Sequence, residues 1–236
     1  MIWLFLALLI LLILLRSPIA VALGLPALVW LFLNDISLGI TTQRIYGTLN
    51  NSVLLAVPMF LLAGRLMNLL QVTDKIFDFA MAIVGHIRGG LGHVVVVTSM
   101  IFSAMSGSAA ADAVGVGTIT VKAARERGYD PEFAAAITLS ASTLAPIIPP
   151  SIIMIIYGAT ANVSIGRLFI GGIIPGIIFA SLLLIAVSII ARRRQYPLMG
   201  QFSFRRLFTT LRKAFLVLLT PVIIIGGIFF GFFTPT

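Results

Sequence analysis

Cysteine is absent from the 236-residue sequence, only two residues are histidine, and only seven are acidic. Without cysteine there is no disulfide framework, no thiolate metal site and no cysteine nucleophile. No Walker motif for nucleotide phosphates occurs, and no serine, histidine and acidic residue form a pattern typical of nucleophilic catalysis. We therefore do not expect an enzyme.

Charge of either sign is also scarce. Only 10% of the residues are charged, whereas 60% are hydrophobic and the mean hydropathy is +1.15. The apolar runs are long and continuous, which is typical of helices that cross a lipid bilayer. The composition therefore predicts an all-α polytopic membrane protein whose first partner is the lipid bilayer.

The charges that are present are mostly basic, and the net charge is +9. Seven of them fall in one segment, 192–213, between two apolar runs. This placement indicates a cytoplasmic loop that follows the positive-inside rule and lies beside lipid headgroups, so no nucleic acid is expected. The seven are Arg192, Arg193, Arg194, Arg205, Arg206, Arg212 and Lys213.

About six membrane spans are predicted from the apolar runs. We expect the N-terminus outside, no cleaved signal peptide, and a polar loop over 34–51. The last span ends at "FFTPT" without a polar tail, which favours the first part of a longer chain. The predicted spans cover 1–15, 18–33, 52–71, 131–157, 168–191 and 214–233.

Two further segments differ from simple spans. In 73–90, Ile76, Ala80, Ile83 and Ile87 recur on one helical face, which predicts an amphipathic helix along the cytoplasmic interface. The next apolar segment, 91–121, has basic residues on both flanks. Both of its ends are therefore expected in the cytoplasm, which predicts a re-entrant hairpin with its tip at "SGS", 106–108.

A second interruption lies in the span at 131–157, which contains "SASTLAPIIPPSII". Proline removes a backbone donor, so the carbonyls of Ala145 and Ile148 lose their normal helical partners. Such carbonyls suit a hard cation, and the N-terminus of the following half-helix suits an anion. Two breaks at membrane depth predict a sodium site next to a site for an anionic substrate.

Several polar residues and prolines within the apolar runs also have a purely structural interpretation. Prolines in membrane helices often form only a kink, which is the interpretation we prefer for Pro58 and Pro175. Asp112 lies one helical turn after Ser108 and is a functional acid, only a helix N-terminal charge, or half of a structural ion pair. Arg65 either extends to the interface or pairs with a partner subunit.

The two broken elements together carry a resemblance to a family. From "SGSAAADAVGVGTITVKAARERGYDPEFAAAITLSASTLAPIIPPSIIMIIYG" the chain resembles the large membrane subunit of TRAP transporters, the tripartite ATP-independent periplasmic carriers. The resemblance implies a sodium-driven, elevator-type carrier in the bacterial inner membrane. It also implies an organic acid substrate, such as a C4-dicarboxylate or sialic acid. A periplasmic binding protein and a small four-helix membrane subunit are the implied partners.

The resemblance also assigns roles to residues and segments. It implies sodium ligands at Ser106, Gly107, Ala145, Ile148 and Pro150, substrate contacts at Ser106, Ser108, Thr143 and Ser151, and a coupling role for Asp112. It implies scaffold spans over 1–72 and 168–195, an arm helix over 73–90, the hairpin over 91–127 and the broken transport-domain span over 128–167. A basic loop and the start of a second, inverted repeat follow over 196–236.

Two other classes of function compete with a carrier. One is a non-transporting structural or assembly subunit of the membrane, and the other is a channel. Sodium-dependent uptake separates a carrier from a structural subunit, and saturation with counterflow separates it from a channel. The motifs do not distinguish one organic acid from another.

Overall fold

The computed structural model describes residues 2–50 and 52–233, and every regular element in those two ranges is a helix. This confirms the all-α prediction. The chain divides between residues 51 and 52 into two compact units. The first holds three helices, α1 (Ile2–Leu14), α2 (Ile19–Leu33) and α3 (Gly39–Leu49). The second opens with a 3₁₀ turn, Ser52–Leu55, and continues with α4 (Ala56–Leu69), α5 (Val72–Val84), α6 (Gly90–Ser106), α7 (Ala109–Glu126), α8 (Pro131–Ser142), α9 (Ile152–Ala161), α10 (Ile165–Arg193) and α11 (Phe204–Phe229).

In the first unit, α1 and α2 pack against each other and turn at Arg16 and Pro18. The prediction of a polar loop over 34–51 was wrong, because α3 occupies most of it. The segment "GITTQRIYGTL" contains no proline to prevent a helix. Its Thr48 hydroxyl donates to the Arg44 carbonyl at 2.8 Å, so the polar side chain is satisfied within the helix.

The second unit is built around α6. Val94, Val95 and Val96 follow one another in this helix and all three have 0% exposure. Consecutive helical residues point in different directions, so α6 is enclosed on all sides. It contacts α4, α5, α7, α8, α10 and α11. The segment predicted as a hairpin therefore contributes the central helix of the unit.

The amphipathic pattern of α5 is confirmed. Ile76 and Ala80 are fully buried, whereas Asp74, Lys75 and Asp78 are exposed. The apolar face predicted over 73–90 is shorter in the structure. The helix ends at Val84, and Ile87 beyond it is 39% exposed. The axis of α5 is bent by 70° from that of α4, so the segment after residue 71 is a separate helix.

Among the described residues, two helices are long and apolar enough to cross a bilayer, α10 and α11. A third span results if the bent pair α4 and α5 counts as one. Four further apolar helices, of 10 to 17 residues, are shorter than the roughly 20 residues that a straight span needs. A multi-pass membrane protein is supported, but the expected number of six spans is not confirmed.

The prediction of a loop over 192–213 was partly wrong. The unstructured segment covers 194–203, and α11 already begins at Phe204. Phe204, Leu207, Phe208 and Leu211 recur with helical spacing, and this periodicity determines the structure despite the two arginines between them. The basic residues from Arg205 onward are therefore helical.

A polar cluster fixes the loop after α10 to the start of α8. Asp130 accepts hydrogen bonds from the Tyr196 hydroxyl at 2.6 Å and from Arg194 Nη1 at 2.8 Å. The Tyr196 ring lies 4.7 Å from the Tyr129 ring and 5.0 Å from the Phe133 ring, measured between centroids. The hydrogen bond from Tyr196, with a further contribution from Arg194, places the pKa of Asp130 below its usual value.

This lowered pKa predicts a pH-dependent contribution to stability. Because the pKa is lower in the folded state, the contribution is fully present above the unfolded value of about 3.9 and is lost as pH falls through the folded value. We expect Asp130→Asn to lower the melting temperature slightly at pH 7, and the difference from wild type to shrink towards pH 3. Thermal unfolding of the purified protein measures this. Glu132→Gln, which removes a nearby exposed acid, is the control and should show no such difference at pH 7.

Candidate functional site

The hairpin tip is the first part of the site. Helix α6 ends at Ser106, Gly107 adopts left-handed backbone with φ +58°, and Ser108 begins α7 as its N-cap. The Ser108 Oγ accepts a hydrogen bond from the Ala111 amide at 3.4 Å. At the other end, the Phe133 ring in the first turn of α8 packs against Gly92 near the start of α6. The segment 90–133 therefore begins and ends on one side of the unit, and the tip lies at the opposite end.

The second part is the interruption between α8 and α9. The helix ends at Ser142 and resumes at Ile152, as the three prolines predicted. Ala145 O lacks a donor because residue 149 is proline, and Ile148 O lacks one because the Ile152 amide bonds elsewhere. No described residue donates a hydrogen bond to either oxygen. Both residues are buried, and their carbonyls are thus available to a ligand.

Ser151 holds this interruption open. Its hydroxyl donates to the Pro146 carbonyl at 3.0 Å, and its Oγ accepts from the Met154 amide at 3.4 Å. The first bond replaces the one that Pro150 cannot donate, and the second caps α9. With 0% exposure, Ser151 stabilises the unwound conformation from within.

The two broken segments are in direct contact. Gly107 O accepts a hydrogen bond from the Ile152 amide at 3.4 Å. A Cβ added at Gly107 would lie 2.7 Å from Pro150 O and 3.3 Å from the Ser151 Cα. Only glycine combines left-handed backbone with so close an approach of another main chain. The structure thus brings together Gly107, Pro150 and Ser151, although the first is far from the other two in the sequence.

The remaining predicted site residues differ in placement. Ser106 has 0% exposure, and its Oγ accepts from the Ser108 amide at 3.4 Å. Thr143 is exposed, and its hydroxyl donates to Ser140 O at 2.6 Å, so it is satisfied within its own helix. As a substrate contact Thr143 stays a prediction.

Asp112 is fully buried between the two arms of the hairpin. One carboxylate oxygen, Oδ2, accepts from the Ser103 hydroxyl at 3.3 Å. Its Oδ1 and the Ser99 hydroxyl, which lies one turn before Ser103, have no hydrogen-bond partner within the described part of the chain. No described basic group forms an ion pair with Asp112. Its place in the first turn of α7 fits a helix N-terminal charge, and a functional role for Asp112 stays a prediction.

A cavity of about 640 Å³ opens between α4 and the hairpin tip. Ser106, Ser108 and the first turn of α7 form one wall, and Arg65 and Asn68 of α4 stand in the other. The sequence analysis missed both α4 residues as site residues. The available signal was their spacing, because a cation and an amide three residues apart in an apolar helix share one face.

Comparison with known proteins gives a consistent result. The family model described as "Tripartite ATP-independent periplasmic transporter, DctM component" matches residues 6–236. A sialic acid TRAP transporter large permease protein of Vibrio cholerae is 45% identical over 220 residues, 93% of this chain and 52% of that protein. A C4-dicarboxylate TRAP transporter large permease protein of the same organism is 41% identical over 93% of this chain and 49% of its own length. The chain thus spans about half the length of these relatives.

Proposed function

The chain belongs to the family of tripartite ATP-independent periplasmic transporters as a DctM component, and on this premise we propose that it forms the first half of a sodium-coupled carrier for organic acids. The family consists of transporter permeases and not of enzymes, in agreement with the sequence analysis. The proposal adds the coupling ion, the substrate class and the mechanism to that identification.

The contact between the two unwound segments is the observation that carries the proposal. Sodium is a hard cation that takes carbonyl and hydroxyl oxygens as ligands. Ala145 O and Ile148 O have no donor among the described residues, and Pro150 O lies against Gly107. We propose that these oxygens, with Ser106 at the tip, hold the ion. The ion would place a positive charge next to these buried oxygens, which have no hydrogen-bond donor among the described residues.

The adjacent half-helix supplies the opposite polarity. The N-terminus of α7 carries partial positive charge, and the amides of Ala109 and Ala110 have no acceptor among the described residues. We propose that the Ser106 and Ser108 hydroxyls, with Ser151 and Thr143 from the second break, contact an organic acid. The curated relatives are named for sialic acid and for C4-dicarboxylates, and both are carboxylates.

The proposed setting is the bacterial inner membrane, with the N-terminus in the periplasm. The hairpin α6–α7 would enter from the cytoplasm and α5 would act as the arm beside it. The hairpin and the broken span would move together past the scaffold spans in an elevator motion, with Asp112 as the coupling residue. A small membrane subunit and a periplasmic binding protein would complete the carrier.

The re-entrant placement of the hairpin makes a prediction about accessibility. Because the sequence contains no cysteine, single cysteines introduced at the exposed positions 88 and 126 need no background removal. We expect both to react with a membrane-impermeant thiol reagent from the cytoplasmic side, and a cysteine at 106, where Ser106 has 0% exposure, to be protected by burial. Reaction of positions 88 and 126 from opposite sides would show that the segment crosses the membrane.

The function itself is tested by uptake into proteoliposomes that contain the full-length carrier and its partner proteins. We expect uptake of sialic acid or succinate that requires an inward sodium gradient, saturates, and shows counterflow. Sodium-independent, non-saturating flux would favour a channel. Absence of flux with intact assembly would favour a structural subunit.

A further inference from the structure

We propose that, in the state in which the hairpin tip lies against α4, Arg65 and Asn68 of α4 bind the carboxylate of the substrate across from the tip. This inference rests on the proposed function and deepens it, because it assigns the charged group of the anion site to a helix outside the two broken segments. The cavity between α4 and the tip, with the donors that line it, is the feature that carries it.

Helix α4 is held directly against the tip. A Cβ added at Gly64 would lie 3.4 Å from the Ser106 Cβ, so the two helices meet there at van der Waals distance. Arg65 is the next residue and lines the cavity that Ser106 and Ser108 also line. The packing at Gly64 therefore places Arg65 beside the cavity that Ser108 and the first turn of α7 also line.

Asn68 is oriented by its neighbours. Its Oδ1 accepts from the Thr73 hydroxyl at 2.9 Å, which uses the acceptor end of the amide. Its amide packs on Gly115 of α7, where a Cβ would lie only 2.6 Å from Oδ1. The Nδ2 donor has no acceptor among the described residues. Asn68 thus adds a fixed donor to the same cavity.

The charge balance of the cavity favours an anion. Within the described part of the chain, Arg65 is its only charged lining residue, and the other side chains apart from Asn68 and the two serines are apolar. No described carboxylate forms an ion pair with Arg65. Guanidinium binds a carboxylate with two parallel hydrogen bonds, which a lysine cannot reproduce. An organic acid is therefore the ligand class that satisfies this set of donors.

The test uses the full-length carrier with its partners, with labelled sialic acid and succinate as probes. For the acid that wild type transports, we expect Arg65→Gln to raise the substrate KM about tenfold, the usual effect of losing one charge-assisted hydrogen bond. Sodium half-saturation should stay unchanged. The substrate KM of Arg65→Lys should lie between those of wild type and Arg65→Gln. In Arg65→Gln, the free acid should no longer compete for uptake better than its methyl ester. Arg167→Gln, outside the cavity, is the matched control.

Three results would overturn the assignment. One is a wild-type substrate KM in Arg65→Gln. Another is an equal rise in sodium half-saturation, which would place Arg65 at the ion site. The third is loss of the small membrane subunit on purification with an unchanged KM, which would make Arg65 an assembly contact. Failure of the proposed function has a separate signature, because wild type itself would then show no sodium-dependent uptake of either acid.

Discussion

Replacing Gly107 with alanine is expected to reduce sodium-dependent uptake at least about thirtyfold. Left-handed backbone costs a residue with a Cβ about 1–2 kcal/mol. The new methyl would also lie 2.7 Å from Pro150 O, which is main chain and cannot move aside easily. Overpacking of this kind costs about 1–3 kcal/mol more. The tip must then withdraw from the second break, and the proposed ion cage opens.

Gly128 provides a matched control for this substitution. It has φ +71°, similar to the +58° of Gly107, but a Cβ added there meets nothing within 4 Å. Gly128→Ala therefore carries the backbone strain without the collision. We expect it to retain most of the uptake of wild type at equal protein level. Equal losses in both variants would attribute the effect to strain alone and contradict the role of the contact.

The second large effect is expected at the interruption between α8 and α9. Replacing both Pro149 and Pro150 with alanine restores two amide donors, so the helix can close and pair the carbonyl of Ala145. Loss of one ligand is worth about 1–3 kcal/mol, the cost of leaving a buried polar partner unsatisfied. Sodium half-saturation of uptake should therefore rise about tenfold or more. The measurement is uptake titrated with sodium at saturating substrate.

Pro221 supplies the control for the proline substitutions. It lies inside the continuous helix α11, which packs mainly against α5. Pro221→Ala therefore removes a proline from an apolar helix away from both breaks. Its sodium dependence should match wild type. If the double variant also matched wild type, the prolines would only bend the helix.

Both breaks were predictable from the sequence because their causes are local. Pro149 and Pro150 lack amide donors wherever they lie, so the loss of helical bonds at Ala145 O follows from the sequence alone. The tip at Gly107 was indicated by its neighbouring serines and by basic residues on both flanks. That these two segments touch depends on the packing of α6 and α9, which no local pattern determines. The presence of two breaks at membrane depth predicts a shared site, and the resemblance to a family assigns residues to it.

The elements that the sequence analysis missed depend on tertiary structure or on weak local signals. The polar composition of α3 predicts a loop, and the only local signal for a helix is that the segment contains no proline. At the start of α11, the basic residues predict a loop, although the apolar residues have helical spacing. The sequence does not show that Arg65 lies near α7, and only the packing at Gly64 brings it to a cavity with Ser108.

The predicted count of six spans is not confirmed, for a different reason. The predicted spans 1–15 and 18–33 correspond to helices of 13 and 15 residues, and the broken span divides into helices of 12 and 10. An apolar run in the sequence gives the number of consecutive apolar residues, whereas the structure shows where the helix ends. Runs that contain a break therefore appear in the sequence as longer helices than they form.

The central claim, that the two touching breaks form a sodium site, is tested most directly by thermal unfolding of the purified full-length carrier without substrate. A ligand that binds only the folded state raises the melting temperature as its concentration passes its dissociation constant. Sodium should raise the melting temperature relative to potassium at equal ionic strength. In the Pro149→Ala, Pro150→Ala variant, the rise should require about tenfold more sodium. Equal shifts in sodium and potassium, or a sodium response in the variant identical to wild type, would contradict the claim.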